Sequence, residues 1–527
     1  MKVLVSDPID QAGLDILGEI AQVEYLQGLS NSELCKIIGN YDALMIRSGT
    51  RVTAEIIENA DKLKIIGRAG VGVDNVDVDS ATKKGILVVN SPGGNTIAAA
   101  EHAIAMLLAL SRNIPQAHAT MVDGDWSRKK FVGNELHKKT LGVVGLGKIG
   151  SHVAKVANAL GMYVLAFDPY VSKDRAEQMQ VELSEIDNLF ALSDYVSLHL
   201  PRTKETENLV DSKVLSSMKS SARLVNCARG GIINELDLAN ALNSGEIAGA
   251  AIDVYAQEPL DKDSPLRNVS KGLIMTPHLG ASTKEAQENV SIDVAEQIRD
   301  VLNGLPARSA VNIPGLNAEV MDSLKPHLKL AETLGLFVSQ LAGNKIKKIE
   351  VNLQGEFAKH PSQPLIIASL KGMLTTALGS RINYVNASLE AKARGIEVIE
   401  SKDNSKPEIS SGAISLKTFG DFGNHIIGGT VLTDGDLRIT SIDEFPVNLS
   451  PSRFMLLTRH RDMPGIIGQL GSLLGKHNIN IASMQVGRKI LRGEAIMVLS
   501  VDDSIPSDLL GSILSVDGIN KANLISL

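Results

Sequence analysis

Arg229 follows the run RLVNCA, Glu258 closes AAIDVYAQ, and His278 stands inside LIMTPHLG, so three different polar types occupy the ends of three strand-like runs. In an open α/β sheet, ligands sit beyond the carboxyl ends of the strands, and these positions are the ones that can meet a substrate. Each residue alone has an ordinary reading: Arg229 as a solvent arginine, Glu258 as a turn residue before Pro259, His278 as a loop histidine. Together they supply an anion clamp, a carboxylate that orients an imidazole, and an imidazole that moves a proton. Beside a hydride acceptor, that set is what oxidation of a 2-hydroxy acid requires.

A hydride acceptor has its own signature in the chain. Gly145-Leu-Gly147-Lys148-Ile149-Gly150 directly follows the strand LGVV and opens a helix beginning near Ile149. Glycine is needed there for the tight turn, for backbone approach to a pyrophosphate and for helix packing on the strand, while the helix N-terminus faces the anion. Asp168 ends the next strand, where its carboxylate meets the adenine-side ribose hydroxyls; no arginine follows it closely, which favours NAD over NADP.

The elements that must position these residues read as α/β from the start. KVLVSD, ALMIRSG, KIIGRAG and LVVNSPG alternate with helix-like segments, and an Ala-rich helix over Thr96–Arg112 leads to a second series. That series shows six strands, LGVVGLG, YVLAFDP, YVSLHLP, RLVNCARG, AAIDVY and LIMTPHLG, the pattern of a doubly wound sheet. A helical run from Thr283 to Leu302 ends at Asn303-Gly304, and Pro306 and Pro314 bracket a linker. Beyond it lie a unit with a helix around Leu328–Leu341, strand-like KKIEVNLQG and Gly-rich GNHIIGGTVL, and then a βαββαβ unit of about 75 residues from Arg453.

Length and composition bound the rest. At 527 residues the chain holds three or four domains at roughly 150 residues each. Charged residues at 21% and a net charge of −7 disfavour a nucleic-acid coat. The most apolar stretch, Ala98–Leu110, is broken by Glu101 and His102 and is shorter than the roughly 18 residues a membrane span needs. Neither nucleic acid nor membrane is expected as a partner. The start MKVLVSDP lacks the longer apolar region of a signal peptide. Two distant cysteines, Cys35 and Cys227, build neither a disulfide framework nor a CxxC metal site. A cytoplasmic location fits, or the plastid stroma if a transit peptide has been removed; no metal is expected.

GLGKIG, NCARGG, DVYAQEP and TPHLGAST, in this order, resemble the D-2-hydroxyacid dehydrogenase family, and the C-terminal extension resembles that of long-form D-3-phosphoglycerate dehydrogenases. The resemblance implies a doubly wound NAD-binding domain (99–287) inserted in a flavodoxin-like substrate domain (1–98 and 288–310), an α+β intervening domain (315–448) and a βαββαβ ACT domain (453–527). It implies that Arg229 holds the substrate carboxylate, that His278 takes the hydroxyl proton as hydride leaves C2 for the nicotinamide, and that Glu258 orients His278 and stabilises its protonated form. Cys227, Ala228, Arg229, Asp253, His278, Leu279, Gly280 and Ala281 then line the nicotinamide end. Relatives assemble as dimers through the NAD domain and usually as tetramers through the C-terminal domains. Family membership leaves D-3-phosphoglycerate, hydroxypyruvate and glyoxylate open as substrates, and NAD-sensing corepressors share the fold; the ACT-like unit argues against a corepressor.

Phosphate recognition calls for extra cations. Arg47 and Ser48 end one first-domain strand, and Arg68, Gly70 and Val71 end another, where guanidinium and backbone N–H groups can meet an anion; Asn95 in SPGGNT is placed alike by the resemblance. These favour D-3-phosphoglycerate. Arg128, Lys129 and Lys130 in WSRKKF are either phosphate ligands lent to a neighbouring subunit or a solvated charge run. In the ACT-like unit, TRHRDMPGIIG and HNINIASM set His460, Asp462 and Asn480 about a helix N-terminus behind Gly465, a place for an amino-acid effector such as L-serine. The alternative there is a dimerising domain without a ligand.

Overall fold

The computed structural model describes residues 1–305, 307–313, 318–343, 345–405, 412–421 and 423–527. Pro306 and Pro314, read above as bracketing a linker, lie outside the described residues.

Short apolar runs with no polar face need cover on both sides, and parallel strands provide for it. β1 (Lys2–Val5), β2 (Gln22–Tyr25), β3 (Ala43–Ile46), β4 (Ile65–Arg68) and β5 (Leu87–Asn90) pair in the order β2-β1-β3-β4-β5, all parallel. This is the flavodoxin-like order. β2 was not among the strands read from sequence. QVEY is short and its side chains are exposed or half-buried, so only its pairing with β1 makes it a strand.

A second parallel sheet takes β6 (Thr140–Val144), β7 (Tyr163–Phe167), β8 (Glu182–Leu183), β9 (Tyr195–Leu198), β10 (Arg223–Asn226), β11 (Gly249–Ile252) and β12 (Leu273–Met275) in the order β12-β11-β10-β9-β6-β7-β8. The order reverses between β6 and β9, which opens the crevice at the fingerprint strand. Seven strands stand where six were expected; the extra one, β8, is two residues long and carries no readable period.

The chain crosses between these sheets twice. The helix Thr96–Arg112 starts directly after the β5 loop and packs on β10, β11 and the helix Lys148–Ala159 of the second unit. The helix Lys284–Leu302, capped by the Thr283 side chain, returns and packs against the helix Gln11–Gly18 and β4. Gly67 in β4 makes that close approach possible, since a Cβ there would stand 2.5 Å from Val294 and 2.8 Å from Ile298.

The C-terminal half holds two more sheets. β13 (Ile346–Gly355), β14 (Glu397–Asp403), β15 (Gly412–Gly420), β16 (Gly423–Val431), β17 (Leu437–Ile442) and β18 (Phe445–Leu449) form a mixed sheet ordered β14-β13-β15-β16-β17-β18. β13 and β15 alternate inward and outward, as strands with one covered face do. The helices Ala318–Ala342 and Ser362–Leu378 pack against each other beside it. β19 (Phe454–Arg461), β20 (Ile481–Arg488), β21 (Glu494–Val501) and β22 (Ile519–Ser526) form an antiparallel sheet ordered β20-β21-β19-β22, with helices Ile466–Lys476 and Leu509–Leu514 on one face. One apolar cluster runs from the first sheet through the intervening unit to Met455, Leu457, Ile496 and Val498 on the other face of this sheet.

Candidate active site

The fingerprint turn is built as its glycines demand. Gly145 has φ +97°, a conformation that side chains rarely adopt, and a Cβ on Gly150 would lie 1.9 Å from the Gly145 carbonyl oxygen. The helix Lys148–Ala159 begins behind Gly147 with no side-chain cap, which leaves its first N–H groups for an anion. Asp168 accepts from the N–H of Leu146 at 2.8 Å and of Tyr170 at 2.9 Å, one bond to each oxygen. The carboxylate thus braces the glycine turn and keeps a second lone pair on each oxygen for hydroxyl donors. This cradle fits a dinucleotide: its residues would hold the pyrophosphate and the adenosine ribose of NAD.

At the ends of β11 and β12, Glu258 and His278 meet. His278 Nδ1 and Glu258 Oε2 are 2.7 Å apart, and the Tyr255 N–H holds Oε1 at 3.0 Å. Burial pushes the Glu258 carboxyl up, but the hydrogen bonds from His278 and Tyr255 outweigh it and leave the group below the usual carboxylate range. With Nδ1 turned to Glu258, Nε2 is the ring nitrogen available to a substrate.

The wall facing His278 comes from the first sheet. A cleft of about 720 Å³ is lined by Arg47, Ser48, Arg68, Gly70 and Asn95 on that side and by Glu258, His278 and Ala281 on the other. Arg68 is the most telling of these, because its Nε is buried with no hydrogen-bond partner among the described residues. Burial first, then the neighbouring Arg229, pulls its pKa down to about 10, with Asp74 opposing, so it stays a cation at neutral pH. Asn95 Oδ1 and Thr96 Oγ1 are likewise buried without partners among the described residues. Arg229 stands beside them, its Nε on Asp74 at 3.1 Å and its Nη1 on the Ala228 carbonyl at 2.7 Å. A Cβ on Gly72 would lie 2.1 Å from Arg229 Nη2, and one on Gly70 would lie 1.7 Å from Arg68 Nη1, so the bare backbone of this loop is what admits both guanidinium groups. Val71 belongs to the same loop and is tied by its carbonyl to Asn90 at 2.5 Å. Arg47 is placed by its N–H on Asp7 and by Asn75, which holds the Arg47 carbonyl.

Asp253 is fully buried under the His278 turn and accepts from Thr276 at 2.6 Å, Leu279 N–H at 2.7 Å and Gly280 N–H at 2.9 Å. Cys227 lies close by, and burial pushes its thiol up, so it is a neutral group there.

Several residues of the site were not found from sequence. Asp74 and Asn75, in VGVDN, follow the glycines that the arginines need, and Thr276 sits two residues before His278. His102 lies 3.3 Å from Asp253. A half-buried histidine in a mostly apolar, Ala-rich helix was a signal, since such a group needs a polar partner. Arg128, Lys129 and Lys130 form a short 3₁₀ turn outside the cleft lining, with Lys130 on Asp125 at 3.1 Å.

The expected effector residues do not come together. His460 in β19 pairs with Ala495, whereas Asn480 precedes Ile481, which pairs with Val501 at the other end of β21. At about 3.3 Å per residue the two ends are roughly 20 Å apart. Asp462 does lie near His460 but is engaged by Arg488 at 3.1 Å and Arg492 N–H at 3.2 Å, and Asn480 donates to Asp502 at 2.7 Å. A site made of all three within one chain is therefore excluded.

Comparison with known proteins places this geometry. Residues 104–280 match the D-isomer specific 2-hydroxyacid dehydrogenase NAD binding domain, 323–443 the D-3-phosphoglycerate dehydrogenase intervening domain and 454–518 the ACT domain. The fold and the matched domain define an NAD-dependent oxidoreductase of the 2-hydroxyacid dehydrogenase class. A formate dehydrogenase from Staphylococcus aureus, solved in complex with NAD, superposes with TM-score 0.53 at 33% identity over 58% of this chain and 97% of its own. Similarity to D-3-phosphoglycerate dehydrogenases spans the full length: 58% identity to that of a Synechocystis species, covering 100% of this chain and 95% of the relative, and 43% to that of Methanocaldococcus jannaschii, covering 100% of both. The chain belongs to the D-3-phosphoglycerate dehydrogenase family.

Proposed function

We propose that this chain oxidises D-3-phosphoglycerate to 3-phosphohydroxypyruvate, the entry to phosphorylated L-serine synthesis. The observation that carries the choice of substrate is the buried Arg68 Nε, without a partner among the described residues and across the cleft from His278, with Arg47 and Arg229 at hand. Arg47 and Arg68 in the cleft lining, with Arg229 beside Arg68, suit a substrate with a carboxylate and a phosphate, and they would be in excess for glyoxylate. Arg229 binds the carboxylate; Arg68 and Arg47 take the phosphate with Ser48, Asn95 and the Gly70–Val71 backbone. The C2 hydroxyl lies against His278 Nε2, which removes its proton, and Glu258 holds the ring at Nδ1 and stabilises the imidazolium that results. NAD, when bound, accepts the hydride from C2. In reverse, the same nitrogen returns the proton to the carbonyl oxygen.

The ACT domain fits regulation, and L-serine is the effector proposed for it. Since His460 and Asn480 stand apart in one chain, such a site needs two copies, which agrees with a homo-oligomer, proposed as a tetramer. NADH absorbance followed with 3-phosphohydroxypyruvate, hydroxypyruvate and glyoxylate, each with and without L-serine, tests the whole reading. Strong preference for the phosphorylated acid is expected. Preference for an unphosphorylated one would assign the protein as a simple reductase.

A further inference from the structure

His102 has no part in the chemistry above, yet its Nε2 lies 3.3 Å from the Asp253 carboxylate and 3.4 Å from the Thr276 hydroxyl oxygen. Hydrogen counting settles which group donates. The Thr276 hydroxyl has a single hydrogen, and it goes to Asp253 at 2.6 Å. Nε2 therefore carries the proton and offers it to both oxygens. The other donors to the Asp253 side chain, Thr276, Leu279 and Gly280, all belong to the turn that bears His278, and the Asp253 carbonyl takes the His278 N–H at 2.9 Å. His278 itself has φ +56°, a left-handed conformation that a residue with a Cβ keeps only where its surroundings over-determine it.

We propose that His102 is a positioning residue for His278: from the helix Thr96–Arg112 it anchors the buried Asp253 carboxylate, whose two oxygens in turn hold the Leu279 and Gly280 amides and so fix where His278 presents Nε2. His102 is the one donor to this carboxylate, among the described residues, that does not move with the turn. Asp253 keeps its backbone on β10 through its N–H to the Asn226 carbonyl at 3.0 Å, but without His102 its carboxylate is met only by groups of the turn, and the side chain loses its tie to the helix. The same hydrogen bond helps to keep Asp253 below the ordinary carboxylate range despite its burial. His102, Asp253 and the Cys227 sulfur lie within 4.8 Å of one another, a spacing that suits a soft cation. Asp253 Oδ1, the oxygen next to His102, is however already met by Thr276, Leu279 and His102, and Oδ2 by Gly280, so the cluster is a hydrogen-bonded anchor.

The inference rests on the role proposed for His278, and its test separates the two. In the full-length protein, His102→Leu is expected to lower turnover of 3-phosphohydroxypyruvate about tenfold or more, with KM and NADH affinity within about threefold of wild type. Amide exchange at Leu279 and Gly280, read by mass spectrometry, should accelerate about tenfold while the melting temperature changes little. His102→Gln, whose amide nitrogen reaches where Nε2 does, should restore both readouts to within about threefold; His102→Asn, which is shorter, should not. Unchanged exchange and turnover in His102→Leu would overturn the proposal, as would equal behaviour of the Gln and Asn variants. If His102→Leu fails to fold, the Gln and Asn pair decides. Should wild-type protein not reduce the phosphorylated acid, the substrate reading fails, and the exchange measurement still judges His102.

Discussion

The cleft at His278 and the turn behind Gly465 use the same parts, a strand end, a glycine turn and a helix, but they arrange their polar groups differently. In the cleft, Glu258 and His278 are 2.7 Å apart and face a buried arginine whose Nε has no partner among the described residues. In the C-terminal unit, His460 and Asn480 stand at opposite ends of β21, and Asp462 and Asn480 already have partners. Unsatisfied buried groups that converge mark a site complete within one chain. In the C-terminal unit the one buried atom of the three without a partner among the described residues, His460 Nδ1, stands far from Asn480, and Asp462 and Asn480 are already paired, so the three do not converge within one chain.

The largest effect expected from this contrast is at His278. His278→Ala should reduce turnover by about 10³-fold, within the usual range for loss of a general base, and leave the NADH dissociation constant within about twofold. Joint loss of both would mean that the turn, and not the imidazole, was the casualty. Acid stability comes next and concerns His199, packed beneath the fingerprint turn, where burial pushes its pKa down to about 4 from an ordinary 6.5. The native state thus disfavours the protonated ring, and the unfolded chain binds the extra proton between those values. Stability is intact above about pH 6.5 and falls by on the order of 3 kcal/mol as pH drops to about 4. His199→Gln should flatten that slope in melting curves taken across the same window; an equal slope would locate the acid sensitivity elsewhere.

Arg68→Met should raise KM for 3-phosphohydroxypyruvate about a hundredfold and that for hydroxypyruvate less than about threefold, since only one of them brings a phosphate to the buried cation. Equal losses with both would give Arg68 to the carboxylate. Asp168→Ala should weaken NADH about tenfold through lost ribose bonds, with part of the loss coming from the unbraced Leu146 amide, and fluorescence titration reads it directly. The smallest effect is reserved for the C-terminal unit: Asn480→Ala should leave turnover without effector within about 1.5-fold, and it should abolish any response to L-serine. A large drop in basal turnover would erase the distinction between the two regions.

How much of this the sequence announces depends on whether a residue's reason is local. The glycines of Gly145–Gly150 and the strand-end positions of Arg229, Glu258 and His278 answer to turn geometry and to sheet architecture, and both leave marks in a few consecutive residues. β2 and β8 do not, because four half-exposed residues or a two-residue bridge become strands only through their neighbours. The helix Ser362–Leu378 is apolar nearly all round and buried over most of the stretch to Leu374, so it shows no stripe to read. In the intervening sheet, only two of six strands were recognisable, since β14 is largely exposed and β15 turns just two large apolar residues, Ile414 and Leu416, inward beside Gly412 and Thr418. Asp74 and His102 escaped for a related reason: each acts on a residue more than 150 positions away, on Arg229 and Asp253. Asn480 misled in the opposite sense, since its nearness to His460 along the motif was not nearness across the sheet.

The double crossing between the first two sheets has a mechanical consequence. A body tied to its neighbour at one point can swing in any direction, but one tied at two points keeps a single line about which it can turn. The connections before Thr96 and at Thr283 are such points, and Asn95 and Ser282, which directly precede these threonines, both line the cleft. Any relative turn of the two lobes is thereby confined to one line, a jaw on a pin, and the Arg229–Asp74 pair adds a polar latch between them.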